Sequence, residues 1–289
     1  MSANVYDEIK ERGFVAQVSD EEAVRKMLGA EMVTFYVGFD STATSLHAGS
    51  LVPIMAMVHL RRAGHRAIAV VGSGTTMVGD PSGKTEMRQM LDEATIRAQG
   101  QAILIQLARY LHFDGQGAVA VDNADWLLPL NYVAFLREIG RHFSVNRMLA
   151  AESVKIRLEA GLSFLEFNYM LLQAYDYWHL FKHYECRLQM GGNDQWGNIL
   201  AGADAAQVEM MVNRSLDGRK AKCERCGQTG STVPSASVVF RMRPTIGPAA
   251  PRGLGNVNLG AGVRDVRSTS AVAALFPRMK RSSPGTPRN

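Results

Sequence analysis

Residues 33–71 read VTFYVGFDSTATSLHAGSLVPIMAMVHLRRAGHRAIAVV. Val33–Val37 is β-branched and aromatic and too short for a helix, so it reads as a buried strand. Leu51–Ala63 has helical character and is stopped by Gly64-His65. Ala67–Val71 is a second buried strand. Strand, crossover helix and strand form a βαβ unit, which predicts a parallel sheet and an α/β, doubly wound domain.

Moving outward from that unit, Ser19-Asp-Glu-Glu22 has the form of a capping box opening a helix through Met27 and Leu28. Helices are predicted over 93–111, 132–139 and 164–184, the last richly aromatic. Arg187–Met190 reads as a third strand, followed by a glycine turn at Gly191-Gly192 and a helix opened by Asp194. Beyond about Asn213 neither a 3.6 nor a 2 period persists, and proline and glycine interrupt each apolar pair. The expected organisation is one folded domain over 1–206 and a basic Pro/Gly/Arg-rich tail over 207–289 without regular structure.

The net charge of +5 divides unevenly along the 289 residues. Up to Val212 there are 18 Lys and Arg against 24 Asp and Glu; the remainder holds 14 against 3. The basicity therefore belongs to the tail and does not mark the domain as a nucleic-acid binder. Three cysteines, Cys186, Cys223 and Cys226, do not make a disulfide framework and suit a reducing compartment. No window carries the roughly 20 apolar residues of a membrane helix, so no membrane association and a cytoplasmic location are expected.

In an open parallel sheet, ligands bind beyond the carboxyl ends of the strands. That corner holds Gly38-Phe-Asp-Ser-Thr-Ala-Thr-Ser-Leu-His-Ala-Gly-Ser50. A helix N-terminus there offers unpaired N–H groups to an anion, Gly49 allows close approach of a flat group, and Thr42 and His47 would donate to phosphate oxygens. The plainer reading makes Ser45 a helix cap and His47 an exposed first-turn residue; from the residues alone both stand. The second strand leads into Gly79-Asp-Pro-Ser-Gly83-Lys-Thr85, one residue short of a P-loop and with Asp80 where phosphates would lie. A carboxylate at that place suits an ammonium group. Tyr169, Gln173 and Asp176, at i, i+4 and i+7, put a phenol, an amide and a carboxylate on one helical face. Gly191-Gly-Asn-Asp-Gln-Trp-Gly-Asn198 forms a further polar corner. Four such constellations along one sheet edge describe a cleft.

YVGFDSTATSLHAGSL, GDPSGKTEMRQML, FLEFNYMLLQAYDY and LQMGGNDQWGNI resemble, in order and spacing, the catalytic domain of bacterial tyrosyl-tRNA synthetases, class I enzymes, over about Asn4 to Ala206. The resemblance implies a Rossmann-type catalytic domain that activates L-tyrosine with ATP, releases pyrophosphate and transfers tyrosine to tRNA(Tyr). ATP enters as a substrate, with Mg2+, and the protein itself holds no metal. By the same resemblance Tyr36 and Asp176 hydrogen-bond the phenolic hydroxyl, while Tyr169, Gln173 and Asp80 hold the ammonium group. Gln195 lies near the carboxylate. Gly38, Asp40, Gly192 and Asp194 line the adenosine site, with Gly49 and Ser50 beside them. Thr42, His47, Lys84 and Arg88 serve the phosphates. Ser50 stands where the family usually has the second histidine of His-x-Gly-His. A homodimer is also implied, and WLLPLNYVAFLREIGRHFSVNRML has the apolar content for its interface.

The resemblance stops in the tail, where the family's strand, Lys-x-x-Lys-Ser/Thr loop and RNA-binding parts are not recognisable, as after truncation or a frameshift. Cys223-x-x-Cys226 lacks a second ligand pair for zinc. Three readings follow: a tyrosine–tRNA ligase, impaired or not by loss of the loop; a tyrosine and ATP binder without turnover; and an RNA-interacting protein acting through its basic tail. A tryptophan enzyme fits less well, because Tyr36 and Asp176 suit a phenol.

Overall fold

The computed structural model describes residues 4–80, 91–150, 154–155, 158–159, 161–202 and 236–240. Lys84 and Arg88, the Cys223 and Cys226 pair and most of the expected tail lie outside the described residues. All described elements belong to one unit, Met1–Pro244.

The predicted βαβ unit is present as β2 (Thr34–Asp40), α3 (Leu51–Arg62) and β3 (Arg66–Gly72). β2 and β3 pair in parallel, Tyr36 opposite Ile68. Gly64, at φ 96°, supplies the left-handed turn that ends α3. The adjoining His65 is buried, and its Nδ1 accepts the Val33 N–H at 3.2 Å; burial lowers its pKa, so the ring is a neutral part of the core.

β2 is the axis of the sheet. It pairs with β3 on one side and with β5 (Cys186–Gly192) on the other, both in parallel. β3 continues in parallel to β4 (Ala118–Asp122). Beyond β5 lies β6 (Ala236–Phe240), also parallel, and then the antiparallel edge strand β1 (Val15–Val18). The order is β1-β6-β5-β2-β3-β4. β6 is a difference from the expected tail: Ser237-Val-Val-Phe240 has strand-forming residues, but its partners lie almost 50 and more than 200 residues away in the chain, so no local pattern announces it.

Helices cover both faces. Phe35, Val37 and Phe39 point into a core with Ile54, Met57 and Leu60 of α3 and Ile103, Leu107 and Leu111 of α5 (Glu93–Leu111). Each such side chain contributes about 1.5–3 kcal/mol on burial. Tyr36, Ile68 and Val70 point the other way, against Tyr177 and Leu180. α5 lies close on the sheet at Gly100, where a Cβ would come within 2.9 Å of Val71 Cγ1.

The N-terminal helices are α1 (Val5–Glu11) and α2 (Glu21–Ala30). α2 begins one residue later than the Ser19 capping box predicts: Asp20 is its N-cap and accepts the Ala23 N–H. Short helices α4 (Ser73–Thr76) and α6 (Ala124–Leu127) start directly at the ends of β3 and β4. They are followed in the chain by α7 (Tyr132–Glu138), α8 (Val145–Ala150) and α9 (Phe164–Tyr184). α9 opens on a capping box in which Ser163 Oγ accepts the Glu166 N–H and Glu166 accepts the Ser163 N–H. Among the described residues no helix is long and apolar enough to cross a membrane.

Candidate active site

The carboxyl ends of β2, β3 and β5 open into one cavity of about 350 Å³. Its depth is set by the alternation of β2. Tyr36 and Gly38 share a face, so Tyr36 forms the floor and Gly38 the wall nearer solvent. A Cβ at Gly38 would meet no protein atom within 4 Å, so nothing in the protein's own packing demands glycine there.

At the floor, Asp176 comes from the middle of α9 and is buried. Its two oxygens are held separately: Trp126 Nε1 donates to Oδ1 at 2.7 Å, and Asn123 Nδ2 donates to Oδ2 at 2.9 Å. Asn123 is itself fixed. It donates to Thr75 Oγ1 at 2.9 Å and accepts the Gly74 N–H at 2.7 Å, which locks the orientation of its amide. Burial raises the Asp176 pKa to about 7, against the two hydrogen bonds that favour the ionised form. Burial also pushes the Tyr36 hydroxyl well above its ordinary value, reinforced by the charge of Asp176. Tyr36 donates to Gln189 Oε1 at 3.2 Å, while Gln189 Nε2 donates to the Ile199 carbonyl.

In the middle of the cavity stand Asp80, Tyr169, Gln173 and Gln195. Asp80 is buried. Gln195 Nε2 bridges Asp80 Oδ2 at 2.7 Å and Asp194 Oδ2 at 2.9 Å. Gln173 lines the cavity, and its Oε1 is buried with no hydrogen-bond partner among the described residues.

The mouth is formed by Asp40, Thr42, His47, Gly49 and Ser50 on one side and Gly192 and Asp194 on the other. His47 precedes a single 3₁₀ turn, Ala48–Ser50, and its carbonyl accepts the Ser50 N–H at 2.9 Å. Ser50 makes no side-chain cap bond to α3, and Ser45 lines the cavity rather than capping a helix. After Gly192 the chain makes a 3₁₀ turn over Asn193–Gln195 and is helical over 196–202, so the helix expected at Asp194 starts two residues later.

The cavity thus brings together Tyr36, Gly38, Asp40, Thr42, His47, Gly49, Ser50, Asp80, Tyr169, Gln173, Asp176, Gly192, Asp194 and Gln195. Lys84 and Arg88 fall outside the described residues. Sequence reasoning missed Asn123, Thr75, Gln189 and Trp126. Trp126 opens the apolar run up to Leu149, yet its indole N–H donates to the cavity's carboxylate. The available signal was Val119-Ala-Val-Asp122, a β-branched strand whose end carries an asparagine to the same sheet edge.

Residues 29–211 match the family described as tRNA synthetases class I (W and Y). The chain is 63% identical over 214 residues to the tyrosine--tRNA ligase of Syntrophus aciditrophicus (strain SB), covering 74% of this chain and 50% of that protein. It is 51% identical over 247 residues to the tyrosine--tRNA ligase of Clostridium beijerinckii, covering 86% of this chain and 58% of that protein; a match of that length reaches beyond residue 206. Among solved structures, a C-terminally truncated Aspergillus nidulans mitochondrial tyrosyl-tRNA synthetase superposes with a TM-score of 0.71 at 26% identity, over 84% of this chain and 70% of that one. The chain spans about half the length of the curated relatives it matches. On fold, cavity and sequence together, the chain belongs to the class I tRNA synthetase family of the tryptophan and tyrosine type.

Proposed function

We propose that the protein is a tyrosine–tRNA ligase, which activates L-tyrosine with ATP and passes the tyrosyl group to tRNA(Tyr). The observation that carries this reading is the floor of the cavity. A buried carboxylate and a buried phenol converge there, and the carboxylate is pinned by two donors that leave its remaining lone pairs for a ligand hydroxyl. An indole offers no hydroxyl at that depth.

A tyrosine placed with its ring above Tyr36 gives its O–H to Asp176 and receives the Tyr36 O–H, which turns from Gln189. Its ammonium group meets Asp80, Tyr169 and Gln173. Its carboxylate then lies near Gln195, between the amino-acid end and Asp194 at the mouth. ATP enters beside Gly38, where the missing Cβ leaves room, with Asp40, Gly49, Ser50, Gly192 and Asp194 along adenosine. Mg2+ arrives with ATP as part of that substrate. The tyrosine carboxylate, already ionised, attacks the α-phosphorus; the bond to the β-phosphate oxygen breaks, and pyrophosphate leaves with the electron pair. No general base is required, so positioning and charge stabilisation by Thr42 and His47, with Lys84 and Arg88, account for the rate.

The catalytic unit of this reading includes β6 as well as residues up to 202. Tyr132, Val133 and Val145, within the segment expected at a dimer interface, are 58%, 72% and 57% exposed and would offer apolar contacts to a second copy of the chain. A cytoplasmic setting, where tRNA and ATP are at hand, completes the proposal. The test is tyrosine-dependent exchange of labelled pyrophosphate into ATP by folded protein. Exchange with tyrosine, reduced by roughly 100-fold or more in His47→Ala, is expected. Folded protein that binds tyrosine without exchanging would instead be a binder that lacks turnover.

A further inference from the structure

Between Ser41, whose N–H donates to Thr76 Oγ1, and the 3₁₀ turn at Ala48–Ser50, the chain crosses the mouth of the cavity as an exposed loop. Among the described residues, hydrogen bonds tie residues 42–46 to the rest of the fold only through Gln106 of α5. Gln106 Oε1 accepts the Leu46 N–H at 3.0 Å, and its Nε2 donates to the Thr44 carbonyl at 3.0 Å. The second hydrogen of Nε2 goes to the Ala102 carbonyl at 2.9 Å, one turn back on the same helix. That third bond fixes the amide, since a flipped group would set its oxygen against two carbonyls and its nitrogen against the Leu46 N–H.

The support behind the amide is rigid. Ile103, Leu104 and Leu107 on either side of Gln106 are buried, and α5 rests directly on β3 at Gly100. The Leu46 side chain also packs against that core. The position immediately before His47 is therefore referred to a buried helix.

We propose that Gln106 is a positioning residue: its amide clamps the backbone at Thr44 and Leu46 and so sets where Thr42 and His47 stand relative to the phosphates. Its catalytic consequence rests on the activity proposed above, whereas the clamp itself does not. Small displacements of a group that acts only at the transition state are costly in rate, so loosening the loop lowers kcat before it alters substrate binding.

The test uses the full chain and the variant Gln106→Met, which keeps helix propensity and length but removes both amide functions. Amide hydrogen exchange followed by NMR is expected to speed up at Leu46 by about tenfold or more, with the thermal midpoint and the tyrosine Kd unchanged. Gln106→Glu sets a carboxylate oxygen against the Thr44 and Ala102 carbonyls and is expected to speed the Leu46 amide as well. In pyrophosphate exchange, Gln106→Met is expected to lose about tenfold in kcat with the KM for tyrosine unchanged. In a His47→Ala background the same change is expected to cost less than in the parent chain, because one of the two groups it positions is gone. An unchanged Leu46 amide, or an equal loss with and without His47, overturns the proposal. If the parent chain shows no exchange at all, the proposed activity fails. The Leu46 amide then still decides the clamp, and an unmoved His47 ring resonance in Gln106→Met overturns the claim that the clamp positions His47.

Discussion

At the floor of the cavity Tyr36 and Asp176 are each 5% exposed, and both oxygens of the carboxylate are held by neighbours that are themselves held. At the mouth, Thr42 and His47 stand exposed on a loop that Gln106 of α5 holds by two hydrogen bonds. Under the proposed activity the two ends meet different physical demands. Recognising a phenol requires partners that lose more than they gain when the hydroxyl is missing, and only desolvated groups do so. Stabilising a leaving pyrophosphate requires charge and donors at the right distance while a large polar substrate still enters and leaves. On that reading burial serves selectivity at the floor and would be an obstacle at the mouth.

The largest expected effect probes the floor directly. Phenylalanine would bring no hydroxyl to the desolvated Asp176 carboxylate, which keeps only its Trp126 and Asn123 donors, and would forfeit the ligand hydrogen bonds to Asp176 and Tyr36, each worth about 1–3 kcal/mol in such a setting. Its activation is expected to fall by roughly 1000-fold relative to tyrosine, measured as kcat/KM for pyrophosphate exchange. A ratio near 10 would show that the floor is not selective and would remove the contrast between the two ends.

The next effect concerns protonation. Asp176 titrates at about 7 in the empty cavity, raised mainly by burial. An unfolded aspartate titrates near 3.9, at about the ordinary value. Between those values the folded protein holds a proton that the unfolded chain lacks, so this group's contribution to stability is greatest below about pH 4, declines as pH rises to about 7 and is level above it. Tyrosine binding has the opposite sign, because the phenol donates to the ionised carboxylate. Its affinity is expected to weaken below pH 7 by up to about tenfold per unit, checked by equilibrium titration at pH 6 and pH 8. Trp126→Phe removes a hydrogen bond that favours the ionised form and should move the midpoint upward. A pH-independent affinity would mean that the carboxylate is not the phenol's acceptor.

The smallest effect sharpens the comparison between wall and floor. Gly38→Ala places a methyl group where no protein atom lies within 4 Å. The thermal midpoint should stay level or rise slightly. The KM for ATP should rise by about fivefold, the equivalent of about 1 kcal/mol of crowding. An unchanged KM would put the nucleotide elsewhere than beside Gly38.

Much of this arrangement was legible along the chain. β2, α3 and β3 follow from apolar runs and a glycine stop, α5 and α9 have the predicted bounds, and the i, i+4, i+7 spacing placed Tyr169, Gln173 and Asp176 on one face. The polar corners at 38–50 and 191–198 were expected at one sheet edge and line one cavity there. What escaped were groups whose roles depend on neighbours remote in sequence. Asn123 and Trp126 reach Asp176 across 53 and 50 residues, and Gln106 reaches Leu46 across 60. β1 and β6 are short strands with no local period to announce them.

Local sequence determined the elements and the chemical types at their ends, because hydrophobic period, caps and turn residues act over a few positions. Tertiary structure alone decided which amide orients which carboxylate, which helix steadies the loop at His47, and that a strand from residues 236–240 joins the sheet between β1 and β5. Such pairings are set by the packing of helices on the sheet and by hydrogen bonds between distant residues, and nothing within a few positions along the chain encodes them.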